Sequence, residues 1–240
     1  MISIIYVARD APMYLGTFYE FSSIFISILV LIHCYKMRGK YDTIKIYLIG
    51  MIYGLILENG GPLILPQFGF EGFFWENNYK LYLFEFFGYG IRISKVPIAT
   101  HLGWPMVFYI AIIFWEQICR AFPKIKHHTI ISGLIISSSG LMFDLPFDII
   151  ATRFNWWVWN ENLLPLWFGV PLVNYLAWFW AVFMFGYFWT VLHNKKEKNN
   201  WSESKLTKNL AIVVPLIWIL DTIGFVLSKE LFNLFGLIYI

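Results

Sequence analysis

The chain has 240 residues, of which 59% are hydrophobic and only 14% charged, and its mean hydropathy is +0.62. Soluble domains run at about 45–50% apolar and about 25% charged, so a soluble globular protein is excluded and an integral membrane protein is indicated. The formal net charge of +3 is too small and too scattered for a nucleic-acid partner.

The length suits one all-α domain spanning residues 1–240, a polytopic transmembrane helical bundle of six to seven helices at about 20 residues per span. No second domain, internal repeat or low-complexity linker is visible. The opening stretch MISIIYVARDAPMY has no basic flank before a long apolar core, so it does not read as a cleaved signal peptide. In chain order, six apolar runs are long enough to span: Met13–Tyr35, Thr43–Leu65, Val96–Ile118, Thr129–Ile150, Pro165–Leu192 and Leu210–Leu227. They are too long and too uniformly apolar for barrel strands, which leaves helices. The stretch Leu231–Ile240 is short for a span. It reads as a half-span, an interfacial segment or the end of a longer sixth helix. Cys34 and Cys119 sit at the ends of different spans, which argues against a disulfide framework or a metal cluster.

Orientation follows from the basic residues. The connections Lys36–Lys45, Arg120–Lys126 and Lys195–Lys208 hold twelve of the eighteen Lys and Arg. The positive-inside rule places them in the cytoplasm and the N-terminus on the non-cytoplasmic side. The long connection Pro66–Lys95 then faces out. Its segment LYLFEFFGYGI is predicted to lie in the interface or re-enter.

On this map, Glu20, Glu58, His101, Asp144, Asp148, Asn174 and Asp221 all fall in the outer half of the bilayer, on six different spans. The inner halves are apolar apart from Glu116. Convergence at one depth is what a shared buried site requires, and an ionisable residue inside a membrane is a functional candidate by default. Asp144 and Asp148 lie one helical turn apart. Pro146 between them is predicted to loosen the turn and free backbone carbonyls. One carboxyl of such a pair stays protonated and serves as an acid beside its ionised neighbour. The plainer alternative for Asp148 is a helix end at the water interface. A magnesium–diphosphate site is disfavoured, because it needs two acidic clusters and only one pair is present. Glu58 closes the apolar run MIYGLILENGGP, where a neutral carboxylic acid is a plausible proton donor to an alkene. Its alternative role is simply to reach the outer headgroups.

The tryptophans Trp156, Trp157, Trp159 and Trp167 follow the aspartates. Interfacial belts explain many tryptophans, yet aromatic faces beside acids also stabilise carbocations. Asn174 and Trp178 share a helix face. The amide suits either orienting a water or carboxyl, or bonding across helices. His101, near Trp104 and Pro105, is more often structural. Asp221 in IWILDTIGF needs a partner that the sequence does not name. Glu71 and Glu76 fall in the outer connection.

These residues carry a resemblance. The chain resembles the carotenoid biosynthesis protein family, polytopic proteins that include carotenoid 1,2-hydratases and bisanhydrobacterioruberin hydratases. The family's strongest pattern is an aspartate, a second aspartate four residues on, W-x-W, then G-V-P-L-x-N-[FY]-x-[GA]-W. Here it reads Asp144, Asp148, Trp157, Trp159, Gly169, Val170, Pro171, Leu172, Asn174, Tyr175 and Trp178. An earlier pattern is filled by Glu58, Gly60, Gly61, Tyr79, Pro97, Trp104 and Tyr109. The likeness spans about Thr43 to Trp189. The chain departs from it at Ile149, where proline is usual, at Pro62 and at Ala177.

The resemblance implies a hydrophobic polyprenoid or carotenoid substrate, held in the bilayer, and addition of water across a terminal isoprenoid double bond. Asp144 or Glu58 would be the acid. Asp148 and Asn174 would position the water. Trp157 and Trp159 would support the cation, and Trp178, Trp104, Tyr109 and His101 would line the substrate. This chemistry implies no redox cofactor and no metal. The same parts without a held water would give a cyclase. A proton-coupled transporter and a non-catalytic scaffold are the readings from other classes. Nothing in the sequence fixes the oligomeric state.

Overall fold

The computed structural model describes residues 13–64, 98–154, 159 and 166–237. The connection Pro66–Lys95 lies outside the described residues, as do Tyr79, Trp156 and Trp157.

Helix α1 (Met13–Thr43), a π-helical turn (Ile44–Ile49) and α2 (Gly50–Ile64) follow one another without a loop. The chain nevertheless reverses within them. Gly39 has a non-helical backbone, with φ 79° and ψ −179°, in a region that glycine enters at little cost. A Cβ there would meet nothing within 4 Å, so the demand for glycine is conformational and not steric. The reversal lets the Tyr47 hydroxyl donate to the Ser27 carbonyl at 3.2 Å, across 20 residues. In a straight helix those residues would stand about 30 Å apart.

Helix α3 (Ile98–Ala121) leads through a 3-10 turn (Pro123–Ile125) into α4 (Thr129–Arg153). Next comes a two-stranded antiparallel hairpin, β1 (Leu166–Trp167) and β2 (Val170–Pro171), in which Trp167 faces Val170. Its two turn residues, Phe168 and Gly169, have φ of 51° and 87°, the positive values that a two-residue hairpin turn requires. Pro171 is then the N-cap of α5 (Leu172–Asn199). That helix ends at Asn200 in the left-handed region, a common helix stop. Helix α6 (Glu203–Leu234) starts at Ser202, whose hydroxyl accepts from the Lys205 N–H at 3.2 Å.

Five helical stretches are long and apolar enough to cross a membrane. They are Phe21–Gly60, Thr100–Ala121, Thr129–Arg153, Leu172–Asn199 and Glu203–Leu234, the first being the 40-residue stretch that contains the turn at Gly39. This is a multi-pass, all-α membrane protein. The expected fifth run begins later than its apolar sequence does, because Leu166–Pro171 folds as the hairpin. The expected sixth grows at both ends, and its extension to Leu234 absorbs the start of the short C-terminal stretch.

Two local expectations are corrected. Helix α4 runs uninterrupted past Pro146, whose ring points outward and is exposed. The missing proline N–H therefore costs one bond on the outer face and no break. Asp148 does not end the helix at a water interface. It is 2% exposed, and α4 continues to Arg153.

Close packing rests on small residues, as membrane helices require. A Cβ on Gly140 would fall 2.9 Å from Val182 Cγ1, and one on Gly186 would fall 2.9 Å from Ile136 Cβ. Both positions lock α4 against α5. The core around them is aromatic. Phe108 and Phe185 stack with centroids 4.0 Å apart, and Trp104 and Trp178 stack at 4.3 Å. Large apolar side chains on α1 and α6, such as Phe25, Leu29, Ile212 and Leu227, are exposed, which suits a surface facing lipid.

Candidate functional site: buried acids and paired tryptophans

The C-terminal turns of α2 and α4 and the N-terminal turns of α3 and α5 bring their polar side chains together. Glu58, in the last turns of α2, accepts a hydrogen bond from Trp104 Nε1 at 2.9 Å. Gly54, one turn earlier, makes room for that indole, since a Cβ there would sit 2.5 Å from Trp104 Cδ1. Trp104 stacks on Trp178 of α5 at an interplanar angle of 17°. One turn before Trp178, the Asn174 amide reaches across to α4. It donates to Asp148 Oδ2 in a short hydrogen bond and to Asp144 Oδ2 at 3.5 Å.

Asp144 and Asp148 are 1% and 2% exposed and lie within hydrogen-bonding reach of each other. A bond between two carboxyls requires a proton on one of them. Asp144 and Asp148 also lie close enough to Glu58 and to Tyr175 for electrostatic interaction. Three carboxyls, one amide and two stacked indoles therefore cluster from four helices, with Asp144, Asp148, Asn174 and Trp104 buried and Glu58 and Trp178 half-buried.

Several groups here lack a hydrogen-bond partner among the described residues: Asp144 Oδ1, the Tyr175 hydroxyl, Thr100 Oγ1 and both ring nitrogens of His101. Buried polar atoms are nearly always paired, so such exceptions point to a bound water or ligand. His101 is 6% exposed and lies one turn from Trp104 on α3. It is thus buried and unsatisfied, unlike the satisfied structural histidine that is the commoner case.

The other predicted site residues stand elsewhere. The Trp159 indole donates to Thr152 Oγ1 at 2.8 Å, beyond the aspartates at the end of α4. Trp157 is outside the described residues, and the Glu20 side chain is not described. The Tyr109 hydroxyl meets His33 Nδ1 at 2.8 Å, so its described polar contact is with α1 and not with the acids. Asp221 gains the partner that the sequence did not name. It is the hydroxyl of the fully buried Tyr53, whose proton is directed to the Ala181 carbonyl at 3.1 Å. No spacing in the sequence joins these residues, because they lie on different helices.

The opposite end of the bundle carries a network of ions. Arg38 makes a paired contact with Glu116, 2.7 Å at each of two bonds, and another with Asp42 at 3.0 Å. Lys45, fully buried, bridges Asp42 at 2.7 Å and Glu203 at 3.0 Å. Lys196 also pairs with Glu203, and Lys126 with Glu197 at 2.9 Å. These bonds tie the three basic connections to one end of the molecule. A cavity of about 420 Å³ opens there, between Arg38, Glu116, Trp189 and His193. Among the described residues, no group of three or more His, Cys, Asp or Glu side chains is placed to share a metal ion.

A multi-pass helical bundle with a largely buried acid–aromatic site on one side defines the class. The sequence pattern of the family described as carotenoid biosynthesis protein matches residues 18–239, and the chain belongs to that family. No curated protein and no solved structure matches it.

Proposed function

We propose that the protein is a membrane-embedded hydratase that adds water to a terminal isoprenoid double bond of a carotenoid or related polyprenoid. The observation that carries this reading is the convergence of Glu58, Asp144, Asp148 and Asn174 around the stacked Trp104 and Trp178. An alkene is a weak base, so its acid must be dry and well placed. Glu58 suits that role. The Trp104 N–H can only donate, so it fixes Oε1 as an acceptor and leaves the acid proton to Oε2.

Protonation of the less substituted alkene carbon leaves a tertiary cation. The indole faces of Trp104 and Trp178 stabilise it by cation–π attraction, worth about 2 kcal/mol or more when desolvated. The aspartate pair and Asn174 form the water side. A water oxygen attacks the cation and loses a proton to a carboxylate. His101 and Thr100, buried and unpaired, line the approach along α3.

We further infer six spans, because the reversal at Gly39 divides the 40-residue stretch in two. The end holding the ion network then faces the cytoplasm and the N-terminus faces out, by the positive-inside rule. The test of function is mass spectrometry of polyprenoids from cells that make lycopene or bisanhydrobacterioruberin, with and without the protein. A product heavier by one water is expected. An isomer of unchanged mass would instead indicate a cyclase, the cation being trapped by a second alkene.

A further inference from the structure

The groups first assigned to hold the water are already occupied. The Asn174 amide donates to both aspartates, and Asp148 Oδ2 accepts one of those bonds. Two atoms of the cluster remain without a partner among the described residues, Asp144 Oδ1 and the Tyr175 hydroxyl. Both side chains are more than nine-tenths buried, at 1% and 7% exposure. Tyr175 neighbours Asn174 in the first turn of α5. Its ring is held edge-on by Trp167 of the hairpin, with centroids 5.7 Å apart at 72°, and its hydroxyl lies near enough to Asp144 and Asp148 to interact with both carboxyl groups. A hydroxyl and a carboxylate oxygen, both buried and unpaired in one cluster, are the setting in which a protein keeps an ordered water.

We propose that Tyr175 is a positioning residue whose hydroxyl, together with Asp144 Oδ1, holds the water that captures the cation. This rests on the hydratase reading above and separates the acid from the base within it. Glu58 gives its proton to the alkene carbon, and the π pair becomes the new C–H bond. The held water forms the C–O bond through an oxygen lone pair, and one of its O–H protons passes to Asp144 Oδ1. The sum is one water added to one double bond. Glu58 is left without its proton and Asp144 with one more, until exchange with solvent resets both. If the water is not held, the cation loses a proton from a neighbouring carbon to the Glu58 carboxylate, which is thereby reset, and returns to an alkene.

That alternative fate supplies the test. The purified full-length protein is reconstituted in lipid vesicles with lycopene, and in parallel with bisanhydrobacterioruberin, in deuterated water. Hydrated product and carbon-bound deuterium in recovered alkene are both measured by mass spectrometry. Wild type should yield mainly hydrated product. In Tyr175→Phe, hydration should fall by about tenfold or more, the scale set by one lost hydrogen bond in a dry site, while deuterium exchange persists. Asp144→Asn should shift the same ratio in the same direction. A global folding defect would lower both readouts together and leave their ratio unchanged. An unchanged ratio in Tyr175→Phe, with wild type hydrating normally, overturns the positioning role alone. Loss of exchange as well as hydration in Asp144→Asn, with the variant eluting and melting like wild type, makes Asp144 the acid and overturns the separation of roles. Neither hydration nor exchange by wild type overturns the hydratase reading, and this proposal with it.

Discussion

Adding a single carbon to Gly54 tests how Glu58 is held. The new Cβ would sit 2.5 Å from Trp104 Cδ1 and 2.6 Å from Cγ, whereas carbon atoms rest at about 3.5–4.0 Å. The indole must retreat by about 1 Å. It is only 4% exposed and is backed by Trp178 at 4.3 Å and Phe108 at 5.7 Å, so the retreat is resisted. It also stretches the 2.9 Å bond to Glu58 beyond hydrogen-bonding range. Overpacking costs about 1–3 kcal/mol and the lost bond about 0.5–1.5 kcal/mol. The gain in helix propensity from glycine to alanine returns about 1 kcal/mol. The net loss centres near 2 kcal/mol, or roughly 4–8 °C in Tm for a chain of this size.

Gly103→Ala is the matched control, since a Cβ there meets nothing within 4 Å. Thermal survival of the detergent-solubilised protein, followed by size exclusion, and turnover of a polyprenoid report the two effects. Gly54→Ala should lose both stability and turnover, and Gly103→Ala neither. In a Trp104→Phe background the smaller ring should relieve the clash and shrink the Gly54→Ala penalty, a non-additive result expected of residues in contact. Equal melting and turnover for the two alanine variants would refute the reasoning.

Other outcomes follow from the same contacts. Glu58→Gln should abolish turnover at normal expression, because an amide cannot protonate an alkene; retained turnover would remove Glu58 from the acid role. Tyr53→Phe strips Asp221 of its hydroxyl partner and should destabilise the bundle by about 1–3 kcal/mol, seen as a lower melting temperature. Arg38→Ala strips Glu116 of its ion-pair partner and leaves Asp42 to Lys45 alone at the other end of the molecule. It should lower stability while leaving product identity unchanged, and the swap Arg38→Glu with Glu116→Arg should recover part of the loss. Asn174→Leu removes the amide that holds both aspartates and should cut hydration more than tenfold by product assay.

Much of this was legible in the sequence, for physical reasons. Long apolar runs must be helices in lipid, so five of the six predicted runs lie largely within the helices described, while Leu166–Pro171 at the start of the fifth folds as a hairpin. That hairpin escapes hydropathy, because its turn is set by φ at Phe168 and Gly169 and not by apolarity. Asp144, Asp148 and Asn174 were legible as a group because charge in a membrane demands partners. The Glu58–Trp104 bond was not, since nothing in the spacing of two residues 46 apart states that their helices adjoin. The same holds for Tyr53 with Asp221 and for Arg38 with Glu116. Tyr175 was hidden in plain view beside Asn174. It stands in the family pattern without a role, and only the packing shows its hydroxyl buried and unpaired. Tyr109 shows the reverse, since its place in the family pattern did not reveal that its hydroxyl meets His33.

The central claim is that these acids add water to an isoprenoid alkene. The most direct measurement supplies lycopene to the reconstituted protein in water labelled with heavy oxygen and follows the product by mass spectrometry. The account predicts a product heavier by one labelled water, lost in Glu58→Gln. A product that carries no label and keeps the mass of its precursor, formed by wild type under these conditions, would contradict it.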